Sequence, residues 1–283
     1  VRIGLFGYDL QLEPPHLGPQ VDDLYGDYPT LTDADLADFT VGVRAPSFAR
    51  RLVRPQALGW CDQPAPFVPL PAESALVVLE MAMNWQTGMR TARYLVLHAA
   101  VAERDGKAII LPGDSGAGKS TLSACLAYSG WRFLADEFAL IDPDSGLIHP
   151  YPRPISLKNA SIDVMKQRVS SALFTREFPE TAKGRIAYLR PPAEALARMA
   201  EPARPVAIVY PRFVAGAPVT LEPLAPSLSL LRFMGGAPSY ARMGVRGFNT
   251  LTRLISTMPS LDAEYGDSDA VMERLAALVE AQP

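Results

Sequence analysis

Gly113-Asp114-Ser115-Gly116-Ala117-Gly118-Lys119-Ser120 follows an apolar, strand-like run over 108–111 and opens a helix-like run over 121–128. The spelling G-x-x-x-x-G-K-[ST] between a strand and a helix is that of a phosphate-binding loop. Polyphosphate is wrapped by successive backbone N–H groups. The chain turns tightly enough to aim them inward only where side chains are missing, hence Gly113, Gly116 and Gly118. Lys119 supplies a cation for the β- and γ-phosphates, and the Ser120 hydroxyl is a Mg²⁺ ligand. The helix N-terminus at Thr121 adds unpaired N–H groups and a favourable dipole for anions. The candidate nucleotide cradle is therefore Gly113, Asp114, Ser115, Gly116, Ala117, Gly118, Lys119, Ser120 and Thr121. Leu122, Cys125 and Leu126 repeat at helical spacing and Gly130 is placed to stop the helix.

Working upstream, two apolar runs over 94–102 and 107–111 flank Glu103-Arg104-Asp105-Gly106, a hairpin signal centred on Asp-Gly. The strand that feeds the loop is thus antiparallel to its predecessor, and the expected α/β fold carries a mixed sheet. Residues 2–6 and 39–43 read as strands. Residues 72–85 read as a helix with Leu76, Leu79 and Met83 on one face. Together they give an N-terminal α+β region over 1–90, read as a layer on the catalytic core that occupies 91–283. Farther on, helices are expected over 162–169, 248–258 and 271–279, and strands over 185–189 and 206–210. Phe248, Leu251, Ile255 and Met258 form one core stripe, and Met272, Leu275 and Val279 another.

Downstream of the loop, Trp131-Arg132-Phe133-Leu134-Ala135-Asp136-Glu137 is an apolar strand ending in acids. A carboxylate there can hold the Mg²⁺ that bridges phosphates, or take the proton of an attacking hydroxyl. Side chains alternate along a strand, so Asp136 and Glu137 diverge unless the strand stops there. Asp136 is the inward candidate for catalysis and metal binding, and Glu137 beside it is a further catalytic candidate. Asp136 comes 17 residues after Lys119, room for one helix, one turn and one strand. An ABC-type ATPase needs far more chain between these elements and an LSGGQ-like segment, for which Phe233-Met234-Gly235-Gly236 is no substitute.

His98 before the hairpin, the loop, and Leu134-Ala135-Asp136-Glu137 together resemble the HPr kinase/phosphorylase family, whose core is shared with ATP-dependent phosphoenolpyruvate carboxykinases. Pro152-Arg153-Pro154-Ile155-Ser156-Leu157-Lys158-Asn159 and Thr181-Ala182-Lys183-Gly184-Arg185-Ile186-Ala187 are most similar to the HPr-kinase-related kinase A group. The resemblance implies a P-loop kinase core, ATP and Mg²⁺ as cofactors, and a homo-oligomer. It makes Lys119 a phosphate ligand, Ser120 a metal ligand and Asp136 the group that activates the acceptor hydroxyl, with His98 beside it. It also places Lys158 and Lys183 among the nucleotide-binding residues, ahead of Arg153 and Arg185. That family carries Asp-Asp and His-Gly where this chain has Asp136-Glu137 and His98-Ala99, and its Arg-Gly-x-Gly signature has no counterpart. Neither phosphorylase activity nor HPr as substrate is therefore implied.

Composition bounds the remaining classes. The 283 residues are 48% hydrophobic and 20% charged, ordinary for a globular chain, and a net charge of −3 offers no general footprint for nucleic acid. Arg44, Arg50, Arg51 and Arg54 form a local basic cluster that reads as solvated surface. Two cysteines make no disulfide framework, no apolar run reaches membrane-span length, and no signal-peptide pattern is present, so a cytoplasmic protein is expected. His16 and His149 have no metal-ligand spacing. The expected function is a Mg-ATP-dependent phosphotransferase acting on a hydroxyl, such as a serine of a protein or peptide. A small-molecule hydroxyl kinase and a non-catalytic nucleotide-binding regulatory subunit are the alternatives.

Overall fold

In the computed structural model of the chain, which describes residues 1–32, 34–62, 66–113, 116–181, 184–237 and 239–282, residues 2–71 build a sheet of their own. Its strands lie in the order β1 (Arg2–Ile3), β2 (Phe6–Leu12), β3 (Phe39–Arg44), β4 (Gln56–Cys61) and β5 (Leu70–Pro71). Helix α1 (Leu17–Tyr25) connects the parallel pair β2 and β3, and a short α2 (Ala49–Leu52) lies between β3 and β4. The strand expected over 2–6 is broken, because Gly4 at φ +56° turns the chain back to pair β1 with β2. Arg44, Arg50, Arg51 and Arg54 are exposed around α2, with Arg51 paired to Glu13. Helix α3 (Ala75–Arg90) packs on β3 and β4. It is buried continuously over Ala75 to Glu80 instead of on the single face expected, because later residues, Phe138, Tyr151, Phe178 and Tyr188 among them, complete the same core.

The apolar run over 94–102 is two strands, not one. Strand β6 (Leu95–Leu97) steps away from β7 (Ala99–Arg104), and His98 sits at the step. Strand β7 pairs with β8 (Lys107–Pro112) through Asp105 at φ +53° and Gly106 at φ +79°, the two left-handed positions that a tight hairpin requires. Then come α4 (Lys119–Ala127), β9 (Arg132–Ala135), β10 (Ala139–Ile141) and β11 (Ile148–His149), with β10 pairing both β11 and β6. A small antiparallel sheet follows from β12 (Ile155–Lys158), β13 (Phe178–Thr181) and β14 (Gly184–Leu189), with α5 (Ala160–Lys166) after its first strand. The chain ends with α6 (Ala193–Ala197), β15 (Arg204–Phe213), β16 (Thr220–Pro223), α7 (Pro226–Gly235), α8 (Tyr240–Thr257), β17 (Ser260–Tyr265) and α9 (Ser268–Glu280).

The principal sheet of this mixed α/β fold has the order β16-β17-β15-β8-β7-β9. Strands β17, β15 and β8 are parallel, while β7 is antiparallel to both β8 and β9, so β9 runs the same way as β8. The carboxyl ends of β17, β15, β8 and β9 and the amino end of β7 therefore share one edge. Leu122, Cys125, Ile162, Val271 and Leu275 cover one face, against Ala100, Ala102, Ile109 and Leu111. Phe233, Leu251, Leu254 and Ile255 cover the other, against Val101, Ala108 and Ile110. Burial on both faces is why β7 and β8 read as unbroken apolar runs. Helix α8 starts well before residue 248 and kinks at Gly244, and Phe248 is 44% exposed, so it leaves the expected core stripe. No helix among the described residues is long and apolar enough to cross a membrane.

Candidate active site

Among the expected site residues that the structure describes, the loop, His98, Asp136 and Glu137 lie at that shared edge of the sheet, Lys158 meets them from β12 of the small sheet, and Arg153 and Arg185 lie elsewhere. Strand β8 ends at Pro112 and the loop passes into α4 through Gly116 and Gly118, both at φ +94°, a region that side chains disfavour. The Gly118 carbonyl accepts the first helical bond from the Leu122 N–H, at 2.9 Å. The expected loop residues Asp114 and Ser115, and Lys183 farther on, lie outside the described residues. Gly116, Gly118, Lys119, Ser120 and Thr121 line a cavity of about 570 Å³ together with His98, Glu137 and Lys158.

Lys119 is 6% exposed and folds back over its own loop. Its Nζ lies 2.8 Å from His98 Nε2 and donates to the Gly113 carbonyl at 3.4 Å. Burial, and then the Lys119 ammonium, hold the His98 imidazole below its ordinary value. It is therefore neutral at pH 7, with Nε2 free of a proton to accept from the lysine. The other ring nitrogen, Nδ1, lies 3.6 Å from Glu137 Oε1. His98 reaches this position because the strand breaks: its own N–H leaves the β7 ladder and donates to the Gly236 carbonyl at 2.7 Å.

The two acids occupy different environments. Strand β9 stops at Ala135, which releases both from strict alternation. Asp136 is 4% exposed and accepts from the Ser120 hydroxyl, while its Oδ1 is buried with no hydrogen-bond partner among the described residues. Burial, followed by the Glu137 charge, pushes the Asp136 carboxyl up to about 6, against the pull of Lys119 and Ser120. Glu137, by contrast, keeps 34% of its side chain exposed in the cavity wall.

A buried carboxylate oxygen without a donor is costly. A hard divalent cation beside the Ser120 hydroxyl would satisfy it, so the residues present fit Mg²⁺. No group of three or more His, Cys, Asp or Glu able to hold a metal exists among the described residues. Mg²⁺ needs none, because it binds through one or two carboxylates plus substrate phosphates and water.

Of the other basic candidates, Lys158 lines the cavity from the end of β12, with Ser156 on the same face two residues earlier. Arg153 does not serve the site. It is buried against Glu80 on α3 and bonded to Asn84, so the sequence reading of a loop charge near phosphate is corrected. Arg185 is also engaged elsewhere, with Asp163 at 2.6 Å and Glu177 at 3.0 Å.

Several lining residues were not among the site residues expected from the sequence. Asn159, at φ +51°, caps the turn from β12 into α5, and its Oδ1 accepts from the Arg185 N–H at 3.1 Å. An asparagine between a strand and a helix is the residue type that tolerates such a turn, and this was the available cue. Ser161 Oγ lies 2.6 Å from Thr121 Oγ1 and joins α5 to α4. Phe213 and Tyr265, at the ends of β15 and β17, and Ser268 complete the wall.

The family model described as "SynChlorMet cassette protein ScmC" matches residues 71–176, less than half of the chain but including His98, the phosphate loop and Asp136. Among solved structures the chain is similar to the Hpr(Ser) kinase/phosphatase from Coxiella burnetii, at 12% identity and a TM-score of 0.29, over 65% of this chain and 88% of that one. No curated protein matches.

Proposed function

We propose that this protein is a Mg-ATP-dependent phosphotransferase with a P-loop kinase core, moving the γ-phosphate to a hydroxyl such as that of a serine in a protein or peptide. The observation that carries this reading is the meeting of the loop lysine, the Ser120–Asp136 pair with its orphaned oxygen, and a separate open carboxylate, Glu137, at one edge of the sheet. A protein that only bound nucleotide would have no use for the second carboxylate.

Phosphoryl transfer is mostly positioning plus neutralisation of charge on the transferred group. Lys119 leaves His98 to meet the β- and γ-oxygens. Ser120 and Asp136 would hold Mg²⁺, which, when bound, offsets charge on those same oxygens. Asp136 is shut beneath Ser120, whereas Glu137 opens on the cavity; Glu137 would therefore take the acceptor proton, with His98 Nδ1 3.6 Å from its Oε1. The sequence reading put metal binding and hydroxyl activation on Asp136, with Glu137 as a further catalytic candidate, and burial favours dividing the two roles between them. Residues 1–90 act as a layer on the 91–283 body, because they share a core with it.

The test is label transfer from γ-labelled ATP into a cell extract, separating protein-bound from small-molecule label, with Lys119→Ala and Asp136→Asn as controls. Label in protein that depends on both residues supports the reading. Label in small molecules replaces the acceptor class, and ATP binding without transfer leaves a regulatory nucleotide binder.

A further inference from the structure

Reading the site edge strand by strand gives the order Tyr265, Phe213, phosphate loop, His98, then Asp136 and Glu137, at the ends of β17, β15, β8, β7 and β9 respectively. The acids and His98 stand on one side of the loop and Phe213 on the other. From β15 to β9 is three strand spacings, about 14 Å. Glu137 and His98 line the cavity on one side of the loop, and Phe213 lines it on the other.

Phe213 is 51% exposed, and its surface is in the cavity wall. Folding gives no reason for that exposure, since β15 is buried from Val206 to Pro211 before it ends at Arg212 and Phe213. The ring is nevertheless held firmly. The Phe213 N–H donates to the Ala117 carbonyl in the loop, at 3.2 Å, and the buried Tyr265 ring stands against it, 5.7 Å away and tilted 73°. A methyl group on Gly118 would come within 3.1 Å of Phe213 Cβ, so the loop approaches this residue closely. Val164 on α5, 36% exposed, lines the same cavity, as does Ser268.

We propose that Phe213 is a nucleobase platform: the base of the donor stacks on its ring, with Val164 adding apolar contact, while the phosphates run from Gly118 toward Lys119. This rests on the phosphotransferase reading and deepens it, for it favours a nucleoside triphosphate as donor over bare polyphosphate or pyrophosphate. A planar base gains from a pinned aromatic face, and the gain is independent of base identity, because every base has such a face.

The experiment is calorimetric titration of the intact protein with Mg-ATP and with Mg-tripolyphosphate, for wild type, Phe213→Ala, Phe213→Trp and Lys119→Ala. Wild type is expected to bind ATP about ten-fold more tightly than tripolyphosphate. Phe213→Ala removes that difference by weakening ATP alone, and Phe213→Trp retains it. An unchanged ratio of the two affinities in Phe213→Ala overturns the platform while leaving the phosphate site standing. If wild type binds neither ligand, or Lys119→Ala binds both as wild type does, the phosphotransferase reading falls and the platform with it.

Discussion

Lys119 places its ammonium 2.8 Å from the Nε2 of His98, so that the loop cation rests on a neutral imidazole at the edge of the sheet. The lysine lowers the histidine pKa and Glu137 raises it. Lys119→Ala should therefore raise the His98 pKa, and Glu137→Gln should lower it further than in wild type. Imidazole nitrogen chemical shifts followed through a pH titration would show both movements. Equal His98 titration in all three proteins would mean that the three groups do not share one field.

The Asp136 carboxyl has a folded-state value of about 6 against an ordinary 3.8. An acid whose value is raised on folding prefers to stay protonated. The folded protein thus bears no penalty below pH 4, a growing one between pH 4 and 6, and the full one above pH 6. Asp136→Asn keeps an oxygen to accept from Ser120 and carries no charge. It should stabilise the protein in EDTA by about 1–3 kcal/mol at pH 7.5 and by nothing at pH 3.5. Urea unfolding at the two pH values measures this, and the same variant should lose label transfer.

What the sequence disclosed and what it hid divide along physical lines. The Asp105-Gly106 turn was legible because only a few residue types tolerate two successive left-handed positions, and the passage from β8 into α4 was legible because the glycines and lysine between them sit at fixed spacing. The step at His98 was not, since Leu97 and Ala99 are equally apolar on both sides of it and only the pairing of β6 with β10 reveals the break. Phe213 lies beyond the strand expected over 206–210, because β15 runs on past Pro211 to Phe213. Arg153 looked like a loop charge because its partner, Glu80, is 73 residues earlier in the chain.

That pairing is what ties the N-terminal layer to the cavity. Arg153 and Glu80 have side chains only 6% and 5% exposed, and the Tyr25 hydroxyl donates to the same carboxylate. Nearby, Tyr28 donates to the Pro152 carbonyl at 2.6 Å, and the Tyr8 and Tyr151 hydroxyls lie 2.6 Å apart. Residues 151–153 lead into β12, which carries Ser156 and Lys158. Glu80→Ala leaves a buried guanidinium without its counter-charge and should cost about 3–5 kcal/mol. Tyr28→Phe removes one hydrogen bond to β12's approach, should cost about 1 kcal/mol, and should raise the KM for ATP if the layer sets the position of Lys158. Denaturant unfolding with steady-state kinetics separates the two effects, and an unchanged KM in a destabilised Tyr28→Phe would assign the layer to stability alone.

Two glycines with almost the same backbone differ in what surrounds them. Gly130 has φ +89° and open space where a methyl group would go, and Gly118 has φ +94° with Tyr265 Oη at 3.0 Å and Phe213 Cβ at 3.1 Å from that position. Alanine in the left-handed region costs about 1–2 kcal/mol wherever it is placed. Gly130→Ala should lose only that, with Mg-ATP affinity unchanged. Gly118→Ala carries the same strain and also pushes on Phe213 and Tyr265 at the start of α4. It should weaken Mg-ATP binding at least ten-fold for a comparable loss in thermal stability. Melting curves and nucleotide titrations of the pair provide the comparison. Equal affinities would show that the close approach of loop and ring plays no part in binding.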